Sequence, residues 1–132
     1  MSEKTFIPNG STFIGNITSI STQFNANVIA DAPTTYLRVT NFGDTSGSLF
    51  TSIWVLATAN TAPQVVDFSP AADPAWTAKN NGTFINQGET LIVAIDNGAG
   101  SKRAQEIQFI ANADPTSSGT HALMAVQPVI PA

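Results

Sequence analysis

The 132-residue chain has no cysteine, which removes disulfides, thiolate nucleophiles and cysteine-held zinc or iron–sulfur centres together. Charge is also scarce, at 11% of residues against about 25% in an average soluble protein. The basic residues Lys4, Arg38, Lys79, Lys102 and Arg103 are scattered, so no cationic stripe exists to neutralise phosphates and nucleic acid is not an expected partner. No apolar run approaches the ~20 residues of a membrane span. The first residues, Met1 to Thr5, lack the basic-then-apolar pattern of a secretory signal. The three Asn-x-Ser/Thr matches, at Asn9, Asn16 and Asn81, are therefore not expected to carry glycans.

Reactive constellations are equally sparse. His121 is the single histidine, and without cysteine or a paired base no nucleophilic centre can be assembled from it. Asp67 and Asp73 are a conceivable acid–base pair, but both lie among turn residues and read as loop caps. The run from Asp96 to Gly100 lacks the alternating oxygen ligands and distal glutamate of a calcium loop, and no glycine-rich phosphate cradle opens a helix. No catalytic residue, metal or cofactor is expected, and a binding or scaffolding role is favoured over an enzyme.

What is abundant points to strands. Sixteen threonines favour pleated structure, while eleven serines and eleven asparagines favour the turns between strands. Phe24, Ala26 and Val28 alternate with polar residues until Asp31-Ala32-Pro33 breaks the run. Tyr36 to Asn41 forms a strand closing on a turn-rich segment from Gly43. Ile53 to Ala57 is apolar throughout, as in a strand buried on both faces, which puts Trp54 in the core. Thr90 to Ile95 and Glu106 to Ala111 are further strands, and Phe13 to Ile20 is one with an irregularity. A short strand is expected at 65–68 and a proline-rich loop at 69–82, with room for one helical turn around Pro74 to Lys79. Pro128 and Pro131 place the last strand, Leu123 to Val129, at an edge or in a tail, because proline cannot donate to a ladder. Short strands at regular spacing make the chain all-β, a single β-sandwich or jelly-roll-like domain over 13–132, preceded at 1–12 by an N-terminal arm or short edge strand.

The succession Tyr36-Leu37-Arg38-Val39-Thr40-Asn41-Phe42-Gly43, then Ile53 to Ala57, then Asn86-Gln87-Gly88-Glu89 before an apolar strand resembles the small capsid decoration, or cement, proteins of tailed bacteriophages. In those an LRVxNxG strand, a VxV strand and a PGE turn precede the last two strands; Gln87 stands where the pattern has proline. The resemblance covers roughly residues 22 to 129 and implies a homotrimer bound to the major capsid protein on the outer surface of the virion. A phage tail or fibre component, and a carbohydrate-binding module, are the alternatives. A weakly charged β-domain without a reactive site independently suits repeated symmetric packing. Partner contact is expected from Phe6, Ile7 and Pro8, apolar residues outside the clear strand pattern, and from Trp76 in the proline-rich loop. Removing residues 1–10 is expected to spare the fold.

Overall fold

The computed structural model describes residues 5–18, 24–44, 49–59, 82–95 and 103–132. These contain nine strands and no helix: β1 (Phe6–Pro8), β2 (Phe13–Ile17), β3 (Phe24–Thr34), β4 (Tyr36–Gly43), β5 (Ile53–Ala59), β6 (Thr83–Ile85), β7 (Thr90–Ala94), β8 (Ala104–Ala113) and β9 (Ala122–Pro131). One sheet has β9 paired on one side with β1 and β2 in succession and on the other with β4, which pairs in turn with β7; the other sheet runs β3-β8-β5-β6. All pairings are antiparallel. Except at β1–β2 and β5–β6, each connection carries the chain from one sheet to the other, which is the strand order of a jelly roll with β1 and β2 sharing its first position.

Period-two alternation directs one side of each sheet into a common core. Leu37 and Val39 of β4 meet Ile53, Val55 and Ala57 of β5, Ile107 and Phe109 of β8, and Met124 and Val126 of β9, all essentially buried. The ambiguous pattern after Phe13 has a packing cause. Ile17 faces the core, Ile14 faces out, and Gly15 leaves the space that the Phe24 ring takes, since a Cβ there would come within 2.7 Å of Phe24 Cζ.

Three expectations are corrected. The first concerns the segment from Asp31 to Pro33, which does not end its strand. β3 continues to Thr34 and only its ladder with β8 shifts, between Ile29 and Thr34. Side chains take up the displaced backbone: Asn9 exchanges two hydrogen bonds with Ala32, Gln105 donates to the carbonyls of Ala30 and Asp31, and Arg103 Nε donates to that of Pro33.

The second correction places β9 in the middle of its sheet, not at an edge. Proline is tolerated there because a residue's N–H and C=O leave an antiparallel strand on the same side. Pro128 directs its carbonyl to Asn9 N–H at 2.8 Å, so its missing donor faces the stretch where the neighbouring chain leaves the ladder between Pro8 and Phe13. Third, Trp54 is not in the inter-sheet core. It is half-buried on the outward side of β5, edge to face with Phe84 and donating from Nε1 to Asp114 Oδ1 at 3.0 Å.

At the N-terminus, Phe6–Pro8 is the edge-strand alternative, paired with Pro131, Ile130 and Val129. The sheet therefore begins before residue 13. Truncation of residues 1–10 is now expected to lower stability by roughly 2–4 kcal/mol, because it removes β1 and leaves the backbone of Ala32 without the buried Asn9 amide. A urea midpoint equal to that of the full chain would show that β1 and Asn9 contribute nothing.

Candidate functional site

The residues singled out by the resemblance meet in one place. Asn41, on the core side of β4, donates from Nδ2 to the carbonyls of Thr51 (2.9 Å) and Ile85 (3.1 Å) and accepts on Oδ1 from Gly43 N–H (2.8 Å). Its backbone bonds Glu89 and Gly88 on the turn between β6 and β7. That turn is closed by Glu89 N–H to the Asn86 carbonyl, with Gly88 at φ +85°. Gln87 reaches back, its Oε1 accepting from Asp44 and Thr51 N–H. Gly43, at φ +72°, makes room, because a Cβ there would lie 1.9 Å from Gln87 Oε1. The motif is thus a hydrogen-bonded clamp joining the two sheets at one end, fully engaged with its own backbone.

The outward faces of the two sheets differ. On the β8 sheet, Leu56 and Thr58 of β5 and Ile110 and Asn112 of β8 point away from the core yet are closed to solvent. Among the described residues, the Thr58 hydroxyl and both amide atoms of Asn112 have no hydrogen-bond partner.

The β9 sheet instead presents a nearly uncharged face that is open at its β2 and β7 sides and closed at Val129. The register gives successive rows across it: Ile14–Ala125–Thr40–Thr90, then Gln127–Arg38–Ile92, then Pro8–Val129–Tyr36–Ala94. Ile14 is 57% exposed and Ile92 37%. Arg38 is the only charged residue in these rows, and its guanidinium already donates to the Phe6 carbonyl. Thr40 and Thr90 bond each other through their hydroxyls at 2.8 Å. Phe6 packs its ring edge to face against Tyr36. Of the partner-contact residues expected from sequence, Phe6 and Pro8 therefore belong to this face, whereas Ile7, paired with Ile130, is exposed on the other side of the sheet. Trp76 lies outside the described residues, as do the strand expected at 65–68, the 69–82 loop up to residue 81, the Asp67–Asp73 pair and the Asp96–Gly100 turn.

Beside the clamp, Phe50 is 67% exposed. Its backbone is pinned three times to the β8–β9 loop: Phe50 N–H donates to Ser118 Oγ, and its carbonyl accepts from Ser118 Oγ and Gly119 N–H. An aromatic ring held out on an ordered backbone is suited to anchoring an interface, since little backbone entropy is lost when it is covered. Sequence pattern does not single it out, because it lies between the turn-rich segment from Gly43 and the strand that begins at Ile53.

His121 is exposed and shares a hydrogen bond with the Thr120 hydroxyl. Among the described residues no group of three or more His, Asp or Glu side chains is placed to hold a metal ion. Comparison of the chain with protein-family models, with curated proteins and with solved structures finds no match in any of the three.

Proposed function

We propose that this protein is a virion structural protein that docks on the outer surface of a tailed-phage capsid and stabilises the shell, binding rather than catalysing. The observation that carries this reading is the nearly charge-free outward face of the β9 sheet, on which Ile14 and Ile92 stand exposed, whereas Leu56, Thr58, Ile110 and Asn112 on the outward side of the β8 sheet are closed to solvent. A surface that leaves isoleucines open while lacking charge is suited to broad contact with another protein. The sequence resemblance supports the same reading, and jelly rolls recur among viral capsid domains, though they also recur among lectins.

Docking through this face should be carried by apolar contact with little electrostatic steering. Ile14→Glu places a charge on an exposed row without disturbing the core, and Phe50→Ser removes the anchoring ring. Each is expected to lower occupancy on capsids of the encoding phage at least about tenfold, with the thermal midpoint of the free protein unchanged. Capsids carrying the wild-type protein should resist heat better than bare ones. Cosedimentation with capsids across a salt series tests this: full occupancy by both variants, or steep loss of wild-type binding with salt, would overturn the reading. Binding on a glycan array in place of capsid binding would favour a carbohydrate-binding module.

A further inference from the structure

Asparagine followed by glycine is the dipeptide most prone to deamidation, because glycine has no side chain to shield its backbone nitrogen from the neighbouring amide carbon. The sequence has three such pairs, of which Asn9-Gly10 lies wholly within the described residues. There the fold holds both partners. Asn9 is only 6% exposed, and each of its polar groups is engaged. Its N–H donates to the Pro128 carbonyl and its carbonyl accepts from Asp31 N–H, both at 2.8 Å. Its Oδ1 accepts from Ala32 N–H at 3.2 Å, and its Nδ2 donates to the Ala32 carbonyl at 2.8 Å. The Gly10 carbonyl accepts from Gln127 Nε2 at 3.2 Å. Packing itself calls for glycine, since a Cβ at residue 10, where φ is +151°, would stand 3.2 Å from Pro128 Cγ and 3.3 Å from the Ile29 carbonyl oxygen. The fold therefore retains the labile pair and restrains it.

We propose that Asn9-Gly10 is a self-modification site gated by the N-terminal arm, closed while β1 is docked on β9 and reactive when it lifts. Cyclisation needs the Asn9 side chain turned onto its own following peptide, and the two bonds to Ala32 hold it elsewhere. Once the arm detaches, the Gly10 backbone nitrogen attacks Asn9 Cγ, the bond from Cγ to Nδ2 breaks, and the proton given up by the nitrogen leaves on ammonia. Water then opens the succinimide at either carbonyl, which leaves aspartate or isoaspartate at residue 9. Aspartate has no Nδ2 proton for the Ala32 carbonyl and sets a carboxylate against that oxygen in a buried place. Isoaspartate adds a methylene to the main chain, so the bonds to Pro128 and Asp31 cannot both be kept. Either product weakens redocking of the arm, and neither reverts. β1 has three residues, so it opens at lower cost than β8 or β9 with ten each. The inference is independent of what the outward face of the β9 sheet binds.

The test holds the full chain at mildly alkaline pH in native buffer and in urea, and follows residue 9 by peptide mass and isoaspartate content. Conversion in native buffer should be at least about tenfold slower than in urea, because only the open arm reacts. Phe6→Ala removes the ring that meets Tyr36 edge to face and should raise the native rate severalfold, with the urea rate and the circular dichroism spectrum unchanged. Phe109→Leu, which weakens the core without touching the arm, should leave the native rate as it is. Asn9→Asp should lower the urea midpoint. Equal rates in buffer and urea, conversion in urea no faster at Asn9 than at Asn25, which precedes alanine, a native rate raised no more by Phe6→Ala than by Phe109→Leu, or an Asn9→Asp midpoint equal to that of the wild type would each overturn the proposal.

Discussion

Asn41→Ala is expected to lower stability by about 3–5 kcal/mol, a large share of the 5–15 kcal/mol typical of a folded domain. The side chain is fully buried and uses both Nδ2 protons and Oδ1 on backbone groups of three segments. Alanine would remove the Nδ2 bonds to the carbonyls of Thr51 and Ile85 and the Oδ1 bond from the N–H of Gly43, at roughly 1–3 kcal/mol for each group left unsatisfied where water cannot reach. The bonds also cross the sandwich, since Thr51 and Ile85 belong to the β5–β6 side and Asn41 to β4, so their loss loosens the register of one sheet on the other. Thr40→Ala, one residue earlier but only half-buried, on the outward side of the sheet, removes the hydroxyl contact with Thr90 and should cost under about 1 kcal/mol. Equilibrium urea unfolding with a shared m value measures both, and a midpoint for Asn41→Ala no lower than that for Thr40→Ala would refute the clamp.

Phe109→Ala should have a similar effect, about 3–5 kcal/mol, for an apolar reason. Phe109 is fully buried in β8, a central strand, and its cross-strand neighbours are Ala26 of β3 and Ala57 of β5. The large ring therefore fills space that two small side chains leave, with Phe24 meeting it edge to face at 6.3 Å. Once the ring is removed, neither alanine can reach into the cavity, which puts the cost toward the upper part of the range. Phe109→Leu retains most of the volume and should cost about 1.5 kcal/mol or less. Equal midpoints for the alanine and leucine variants would mean that the site collapses freely.

The clamp and the core differ in how far the chain alone announces them. Phe109 is recoverable from the alternation of Ile107 and Phe109 with polar neighbours, because a pleated strand with one buried side repeats every two residues. Asn41 is only half recoverable. Its place between Thr40 and Phe42 marks a strand end, and Asn86 to Glu89 marks a turn, but nothing in the spacing says that these segments, more than forty residues apart, share hydrogen bonds. The trio Phe6, Ile7 and Pro8 shows the same limit: composition marks it as apolar, whereas its division between two sides of a sheet depends on pairing with β9.

Local chemistry in the chain determined the all-β class, the positions of most strands described, the turn at Gly88 and the absence of a stripe of positive charge, because alternation, turn residues and charge are properties of neighbours in sequence. Tertiary structure alone decided that β9 is central despite Pro128, that Asp31 to Pro33 shifts a ladder without ending a strand, and that Trp54 faces outward. It also decided that Ile14 and Ile92 stand open on the outward side of one sheet while Leu56 and Ile110 are closed on that of the other. A proline is tolerated or excluded according to which neighbour its missing N–H faces, and an apolar side chain is core or surface according to what lies opposite it. Both depend on strands brought together from distant parts of the chain, and no local pattern encodes that pairing.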